Sequence, residues 1–185
     1  KVPILYTSVL LRDWRAWQKL GIGGVSAPGS YHALAMLDFP VSFGGFRFSR
    51  APEEPIVVHM EHFATRPDAG PTRREQYRAG RHALLATPFE AIEREIRRQL
   101  AGMLGGGGFD PARDIAAITV NRWAHGYAYW YDVVGDPAYE PGSYPNEIGR
   151  QRFGRIAVAN SDAAGRATLD AAIDEAKRAV GELTG

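Results

Sequence analysis

The chain has 185 residues, of which 45% are hydrophobic and 23% are charged, and its formal net charge is +1. This composition predicts an ordered, soluble protein with a sizeable core, and it argues against a disordered tail or a nucleic-acid-binding protein. Because the chain has no run of about 18 apolar residues, we expect no transmembrane segment. The absence of cysteine excludes disulfides, thiolate metal sites and cysteine nucleophiles, and it leaves the compartment undetermined.

The first third of the chain predicts a mixed sheet. Val2–Leu11 is apolar and rich in β-formers, so it is predicted to be a strand, and a short helix capped by Asp13 should follow and end at Gly21. Alternating residues predict a half-buried antiparallel strand over residues 44–49. A further strand is predicted over residues 55–63, with His59 and His62 on opposite faces. These two histidines therefore cannot bind one metal ion from a single strand.

The middle of the chain combines a polar segment with a clear amphipathic helix. Residues 66–82 hold four arginines without interleaved aromatic residues, and we interpret them as a solvated loop. The sequence Thr-Pro-Phe-Glu at residues 87–90 has the form of a capping box and predicts a surface helix over residues 87–104. A strand should follow over residues 115–120. The predicted buried stripe of the helix comprises Phe89, Ile92, Ile96, Leu100 and Met103.

The C-terminal segment, residues 155–183, predicts one strand, one polar turn and one helix. Residues 156–159 form a short apolar run of the kind found in strands buried on both faces of a parallel sheet. The turn Asn160–Asp162 follows, and the N-terminus of the next helix should present unpaired N–H groups to an anion. The predicted apolar stripe of that helix comprises Leu169, Ala172, Ile173, Ala176, Val180 and Leu183.

Two motifs resemble the flavin-containing amine oxidoreductases. The segment A-N-S-D, followed by a small-residue turn and T-L-D-A-A-I-D-E-A-K-R-A-V, resembles their C-terminal FAD-binding segment. The run N-R-W-A-H-G-Y-A-Y at residues 121–129 is similar to the R-W…G-S-Y-S-Y element beside their flavin ring. Together with K-V-P-I-L-Y-T, A-T-P-F-E and G-F-D-P-A-R-D-I, it is most similar to the bacterial spermidine dehydrogenase-like branch. The resemblance thus covers nearly the whole chain.

The resemblance implies a site for amine oxidation. Lys1, which heads a strand beginning K-V, matches the lysine that holds a water near flavin N5 in the family. Tyr127 matches the substrate side of the ring, and Tyr129 shares its face if residues 122–131 are extended. Trp123 and Gly126 would lie beside the cofactor. Two other interpretations stay open, namely that Lys1 is a solvated terminal lysine and that the aromatic residues fill a core.

The resemblance also implies how FAD would be bound. Ser161 or Asp162 would stand in place of the family's strand-end acid, depending on whether a gap is allowed. The backbones of Thr168 and Leu169 would face the pyrimidine edge of the flavin, where a helix N-terminus stabilises negative charge. No residue is assigned to a metal ion.

The resemblance places the chain in the C-terminal part of a two-domain FAD-dependent amine oxidase fold of the α/β (mixed α+β) class. Residues 1–114 would be mainly substrate-domain elements, and residues 115–185 would return to a Rossmann-like FAD domain. The chain lacks a G-x-G-x-x-G turn for the pyrophosphate, so an N-terminal FAD-binding half is expected as a partner, cleaved or as a separate chain. The expected substrate is spermidine or a related polyamine. Two alternatives are the same fold acting on another amine or amino acid, and a non-catalytic interaction subunit.

Overall fold

The computed structural model describes residues 1–185, which form two compact units. We call residues Val2–His125 the sheet unit and Lys1 with Gly126–Gly185 the C-terminal unit. The break falls later than the expected boundary at residue 114, because the strand that begins at Ile115 belongs with the sheet up to His125. At the level of fold class, the mixed α/β prediction is confirmed, since one five-stranded sheet is combined with seven helices.

The sheet is antiparallel, with the strand order β2-β3-β4-β1-β5. The two central strands pair from Ile4 opposite Phe63 to Leu11 opposite Ile56, which places the apolar run at the chain start in the middle of the sheet. The prediction of strands over residues 2–11 and 55–63 is therefore confirmed. The strands are β1 (Val2–Leu11), β2 (Gly24–Ser26), β3 (Leu34–Asp38), β4 (Ile56–Phe63) and β5 (Ile115–Gly126).

The prediction of a strand over residues 44–49 is wrong. Phe43 and Phe46 form only an isolated bridge around a tight turn at Gly44, whose φ of 59° favours glycine. No neighbouring strand pairs with this segment, so its alternating residues do not form a strand. The strands that extend the sheet beyond β4 are the short β3 and, at the edge, β2, which lie in a segment rich in glycine and proline.

The interpretation of residues 66–82 as a loop is also wrong, because most of the segment belongs to a helix. The Thr72 hydroxyl accepts a hydrogen bond from the Glu75 amide at 3.3 Å, and the Glu75 carboxylate accepts one from the Thr72 amide at 3.1 Å. This capping box starts the helix. Helix contact with the sheet requires Gly80, since a Cβ there would lie 1.5 Å from the Ala64 carbonyl oxygen.

The amphipathic helix of the middle segment is confirmed, although its predicted cap is not. Pro88 precedes the first turn without a side-chain cap, and the Thr87 hydroxyl donates to the Ala83 carbonyl at 2.8 Å instead. Ile92, Ile96 and Leu100 are buried as expected, whereas Phe89 is partly exposed. The helices of this unit are α1 (Arg15–Leu20), α2 (Arg73–Ala86), α3 (Phe89–Leu104) and α4 (Pro111–Asp114).

A polar network lies inside the apolar core of the sheet unit. The His32 Nδ1–H group donates to Gln99 Oε1 at 3.1 Å, and His32 Nε2 lies 3.1 Å from the Thr7 hydroxyl. All three side chains are buried. Burial lowers the pKa of His32 to about 4, so the ring is neutral at physiological pH. Because these polar side chains hydrogen-bond with one another, we assign the network to the core.

The C-terminal unit is built from three helices and long connections. The predicted strand over residues 156–159 is absent, since Phe153 and Ile156 form only an isolated bridge and Ile156 is 63% exposed. A buried parallel strand needs neighbours on both sides, and the chain places none there. None of the helices in the structure combines the length and apolar character needed to cross a bilayer. The helices of this unit are α5 (Pro145–Gly149), α6 (Ser161–Ala164) and α7 (Leu169–Thr184).

Helix α7 does not bury the face that its sequence predicts. Its buried residues are Ala171, Glu175 and Ala179, not the apolar stripe. The Glu175 carboxylate accepts hydrogen bonds from Arg150 at 2.5 Å and from Arg178 at 2.8 Å. These ion pairs hold Glu175 inward between Ala171 and Ala179, while the large residues of the predicted apolar stripe face solvent. The large apolar residues exposed on this side are Leu169, Ile173, Val180 and Leu183.

Candidate functional site

Two of the predicted site residues come together from opposite ends of the chain. Lys1 Nζ lies 2.5 Å from Asp162 Oδ2, and the two side chains are 31% and 41% exposed. The Tyr129 amide donates to the other oxygen, Asp162 Oδ1, at 3.3 Å. Asp162, rather than Ser161, is therefore the residue whose side chain meets other candidate site residues.

The position of Asp162 follows from the short helix α6. The Asn160 side chain caps this helix by accepting from the Ala163 amide at 2.9 Å. Gly165 ends the helix in the left-handed conformation, with φ of 65°. Ser161 is the first residue of α6, and its carbonyl accepts from the Arg166 amide at 3.3 Å.

The aromatic segment after β5 does not keep the extended conformation that a shared face of Tyr127 and Tyr129 requires. Strand β5 ends at the buried Gly126, and Tyr127 adopts φ of 58°, the one non-glycine residue with positive φ. A left-handed bulky residue stores about 1–3 kcal/mol of backbone strain, which is more common at functional sites than elsewhere. Strand alternation therefore does not place Tyr127 and Tyr129 on one face. Half of the Tyr127 side chain is exposed.

Trp123 lies in the sheet unit, on β5, with its side chain more than half exposed. The strand alternation directs Trp123 to the opposite face from Arg122. The Arg122 guanidinium donates to the Thr87 carbonyl at 2.8 Å. The other candidate site residues, from Gly126 to Leu169 together with Lys1, belong to the C-terminal unit.

The predicted cofactor-binding turn lies at the start of α7. Thr168 occupies the N-cap position without a side-chain cap to the helix, and Leu169 is 77% exposed at the first helical position. The hydrogen bond from Thr168 and the nearby first-turn amide of Ala171 lower the pKa of Asp170. The first turn of α7 is therefore open to solvent, with one carboxylate beside it.

A small aromatic cavity of about 190 Å³ lies in the C-terminal unit beside Tyr129. Tyr131 and Tyr144 meet edge to face at 5.3 Å between ring centroids. The Glu147 carboxylate also lines the cavity and accepts from the Gly142 amide at 2.9 Å and the Tyr144 amide at 3.2 Å. Aromatic faces beside a carboxylate are suited to a cationic group such as an ammonium.

Hydrogen bonds to carboxylates organise this aromatic segment further. The Tyr129 hydroxyl donates to Asp136 Oδ2, which also accepts from the Asp132 amide at 2.8 Å. Desolvation, followed by Tyr144 and the Asp136 carboxylate, raises the pKa of Tyr131. Neither motif includes Tyr144 or Glu147, although Pro145 followed two residues later by Glu147 is a recognisable helix start.

No group of three or more His, Asp or Glu side chains is arranged to hold a metal ion. The β4 histidines serve the packing of the sheet unit. The His62 ring stacks on Tyr31 at 4.2 Å between centroids, and its Nδ1 lies 2.5 Å from the Tyr31 carbonyl oxygen. The His59 ring lies 5.2 Å from that of Tyr6.

No protein-family model matches the chain, and no curated protein matches it significantly.

Proposed function

We propose that this chain is part of an FAD-dependent oxidoreductase that oxidises an amine by hydride transfer, with spermidine or a related polyamine as substrate. The observation that carries the proposal is the convergence of Lys1, Tyr129 and Asp162, which lie far apart in the sequence. The motif resemblance matches Lys1 to the lysine near flavin N5, Tyr129 to the substrate side and Asp162, as one of two candidates, to FAD binding. FAD, when bound, supplies the hydride acceptor.

In this proposal, Lys1 is the residue that positions a proton or water close to the reacting centre. The Asp162 carboxylate orients its ammonium group through the 2.5 Å ion pair. The pair is partly exposed, so its contribution to folding stability is about 0–1 kcal/mol. Since the fold depends little on this ion pair, we assign it the role of orienting the Lys1 ammonium group.

The cavity beside Tyr129 is suited to one cationic end of a polyamine. Tyr131 and Tyr144 provide aromatic faces worth about 0.5–2 kcal/mol each to a cation, and Glu147 provides the opposite charge. At 190 Å³, the cavity has room for an aminoalkyl end but not for a bulky amine. This size favours a linear polyamine over an amine with a bulky substituent.

The fit to FAD is partial. The exposed start of α7 suits the flavin end of the cofactor, because the positive end of the helix dipole favours negative charge. The chain has no G-x-G-x-x-G turn to hold the pyrophosphate. We therefore propose that a second segment, the N-terminal FAD-binding half, completes the cofactor site.

The outward apolar side of α7 supports such a partner. Leu169, Ile173 and Val180 follow one another at helical spacing and are all exposed, as is Ile156 of the predicted strand. A continuous exposed apolar surface is typical of an interaction site. Expressed alone, the chain should self-associate through this surface, and a monomeric product that melts cooperatively would contradict the proposed partner.

The same surface favours the second candidate function, an interaction subunit that keeps the flavin-family fold without catalysis. The visible absorption spectrum of the purified assembly separates the two. An assembly with the blue absorption band of oxidised flavin, released on denaturation as FAD, supports the enzyme. A colourless, flavin-free assembly that retains its partner supports the interaction subunit.

A further inference from the structure

A groove in the sheet unit, away from the residues assigned to amine oxidation, has the properties of a second ligand site. It lies between α2 and β5 and encloses about 370 Å³, within the range of small-molecule pockets. Arg78, Arg81 and His82 line it from the helix, and Arg122 lines it from the strand. We call these residues and the space between them the arginine groove.

The charge of the arginine groove is of one sign. None of the residues that line it is a carboxylate, and the guanidinium of Arg122 donates to a backbone carbonyl, not to an acid. Arg78, Arg81 and His82 share one face of α2 at spacings of three and four residues. At such spacings like charges destabilise a helix, and the helix dipole does not compensate, because the last turn of α2 holds no basic residue.

The remaining lining of the groove is apolar. Leu84 is buried at its base, and Ala124 of β5 contributes the opposite wall. Leu85 is 80% exposed, although a leucine of this helix would be expected to face the core. The groove thus offers both cationic groups and apolar surface to one occupant.

The face of β5 that carries the groove is not the face of Trp123. Arg122 and Ala124 alternate with Trp123 along the strand, so they point to the opposite side. A ligand in the groove would therefore not occupy the position assigned to the flavin. The site is independent of the proposed amine oxidation.

We propose that the arginine groove binds a small amphipathic anion, a molecule with a carboxylate or phosphate head and an aliphatic body. The guanidinium groups of Arg78 and Arg122 suit either head, because both form paired hydrogen bonds with planar or tetrahedral oxyanions. Leu84, Leu85 and Ala124 cover the aliphatic body.

Calorimetric titration of the protein as purified tests this assignment, with octanoate, octyl phosphate and octanol as probes. Both anions should bind, the tighter one identifying the preferred head, and octanol should bind at least about tenfold more weakly. Arg78→Gln should weaken anion binding at least about tenfold, and added salt should weaken it in the native protein. The matched control is Arg74→Gln, an exposed arginine of α2 outside the groove, which should leave binding unchanged.

A second variant separates the apolar contribution from the charge. Leu85→Ser should weaken octanoate binding and leave acetate binding unchanged, and because Leu85 is exposed it should not disturb folding. Three results would overturn the assignment. They are equal binding of octanol and octanoate, unchanged binding in Arg78→Gln, and no measurable binding of either anion.

Discussion

Lys1 Nζ and Asp162 Oδ2 lie 2.5 Å apart although 161 positions separate the two residues in the sequence. The pair joins the first residue of the chain to the short helix before α7. Since its side chains are partly exposed, the contact contributes little to stability and more to the position of the lysine.

The first prediction concerns Lys1. Lys1→Met should lower kcat/KM for spermidine about tenfold or more, equivalent to about 1.4 kcal/mol, because no ammonium remains to position a proton or water. Flavin content and melting temperature should stay nearly unchanged. Lys19→Met is the control, since Lys19 is exposed on α1 in the other unit. Equal kinetics for Lys1→Met and Lys19→Met would show that Lys1 is a solvated terminal lysine with no role in turnover.

The second prediction concerns Tyr127, which we place in the amine-binding wall. Tyr127→Ala should lower kcat/KM about tenfold or more without a comparable loss of flavin, because an aromatic wall is removed. Tyr127→Phe should be much milder. Tyr127→Gly relieves the positive φ and should stabilise the fold relative to Tyr127→Ala while remaining equally impaired in turnover. Normal turnover in flavin-loaded Tyr127→Ala would show that the ring only fills space.

The third prediction concerns the start of α7. Leu169→Pro should strongly reduce flavin retention, because it removes a backbone donor at the first helical position. Proline is well tolerated at that position, so the helical circular dichroism signal should persist. Thr168→Ala should be mild, since the backbone carries the proposed role. The measurement is flavin content after gel filtration, and equal losses for the two variants would assign the role to the Thr168 side chain.

The fourth prediction is a loss of stability on acidification. The pKa of His32 is lowered from 6.5 to about 4, so the unfolded state binds this proton first as the pH falls. Stability due to neutral His32 is complete above about pH 6.5, declines between pH 6.5 and 4, and is lost below, by a total of about 3 kcal/mol. Burial also lowers the pKa of His62, which acts in the same direction.

Urea unfolding at pH 7 and pH 5 measures this effect. His32→Gln keeps an uncharged side chain with a donor and an acceptor near Thr7 and Gln99, so it should show a smaller difference between the two pH values. His82→Gln is the control, because His82 is exposed on α2. The same difference in His32→Gln as in the native protein would contradict the assignment.

Local periodicity in the sequence predicted some strands and helices correctly. The prediction failed where a neighbouring strand or a distant side chain determines the structure. The central strands and α3 follow directly from their apolar patterns. The pattern of α7 predicted the helix but not its buried face, because Arg150 and Arg178 bind Glu175 and hold it inward. The apolar run at residues 156–159 has the composition of a buried strand but no neighbour in this chain. The polar, arginine-rich sequence of α2 did not predict a helix, although Thr72 and Glu75 form a capping box at its start.

The candidate site was predictable only in part for a similar reason. Motif resemblance selected Lys1 and Asp162, which the structure brings together. It did not select Tyr144 or Glu147, which join Tyr129 through folding of the C-terminal unit. It also did not anticipate the left-handed backbone at Tyr127, since tyrosine rarely adopts that conformation.

Anaerobic mixing of the flavin-containing assembly with spermidine tests the proposed activity most directly. If the chain belongs to an amine-oxidising flavoenzyme, the blue absorption band should bleach as hydride reaches the cofactor, at a rate that saturates with spermidine concentration. Lys1→Met should slow that bleaching about tenfold or more at saturating substrate. A flavin band that spermidine, other linear polyamines and simple monoamines all leave unchanged would contradict the proposal.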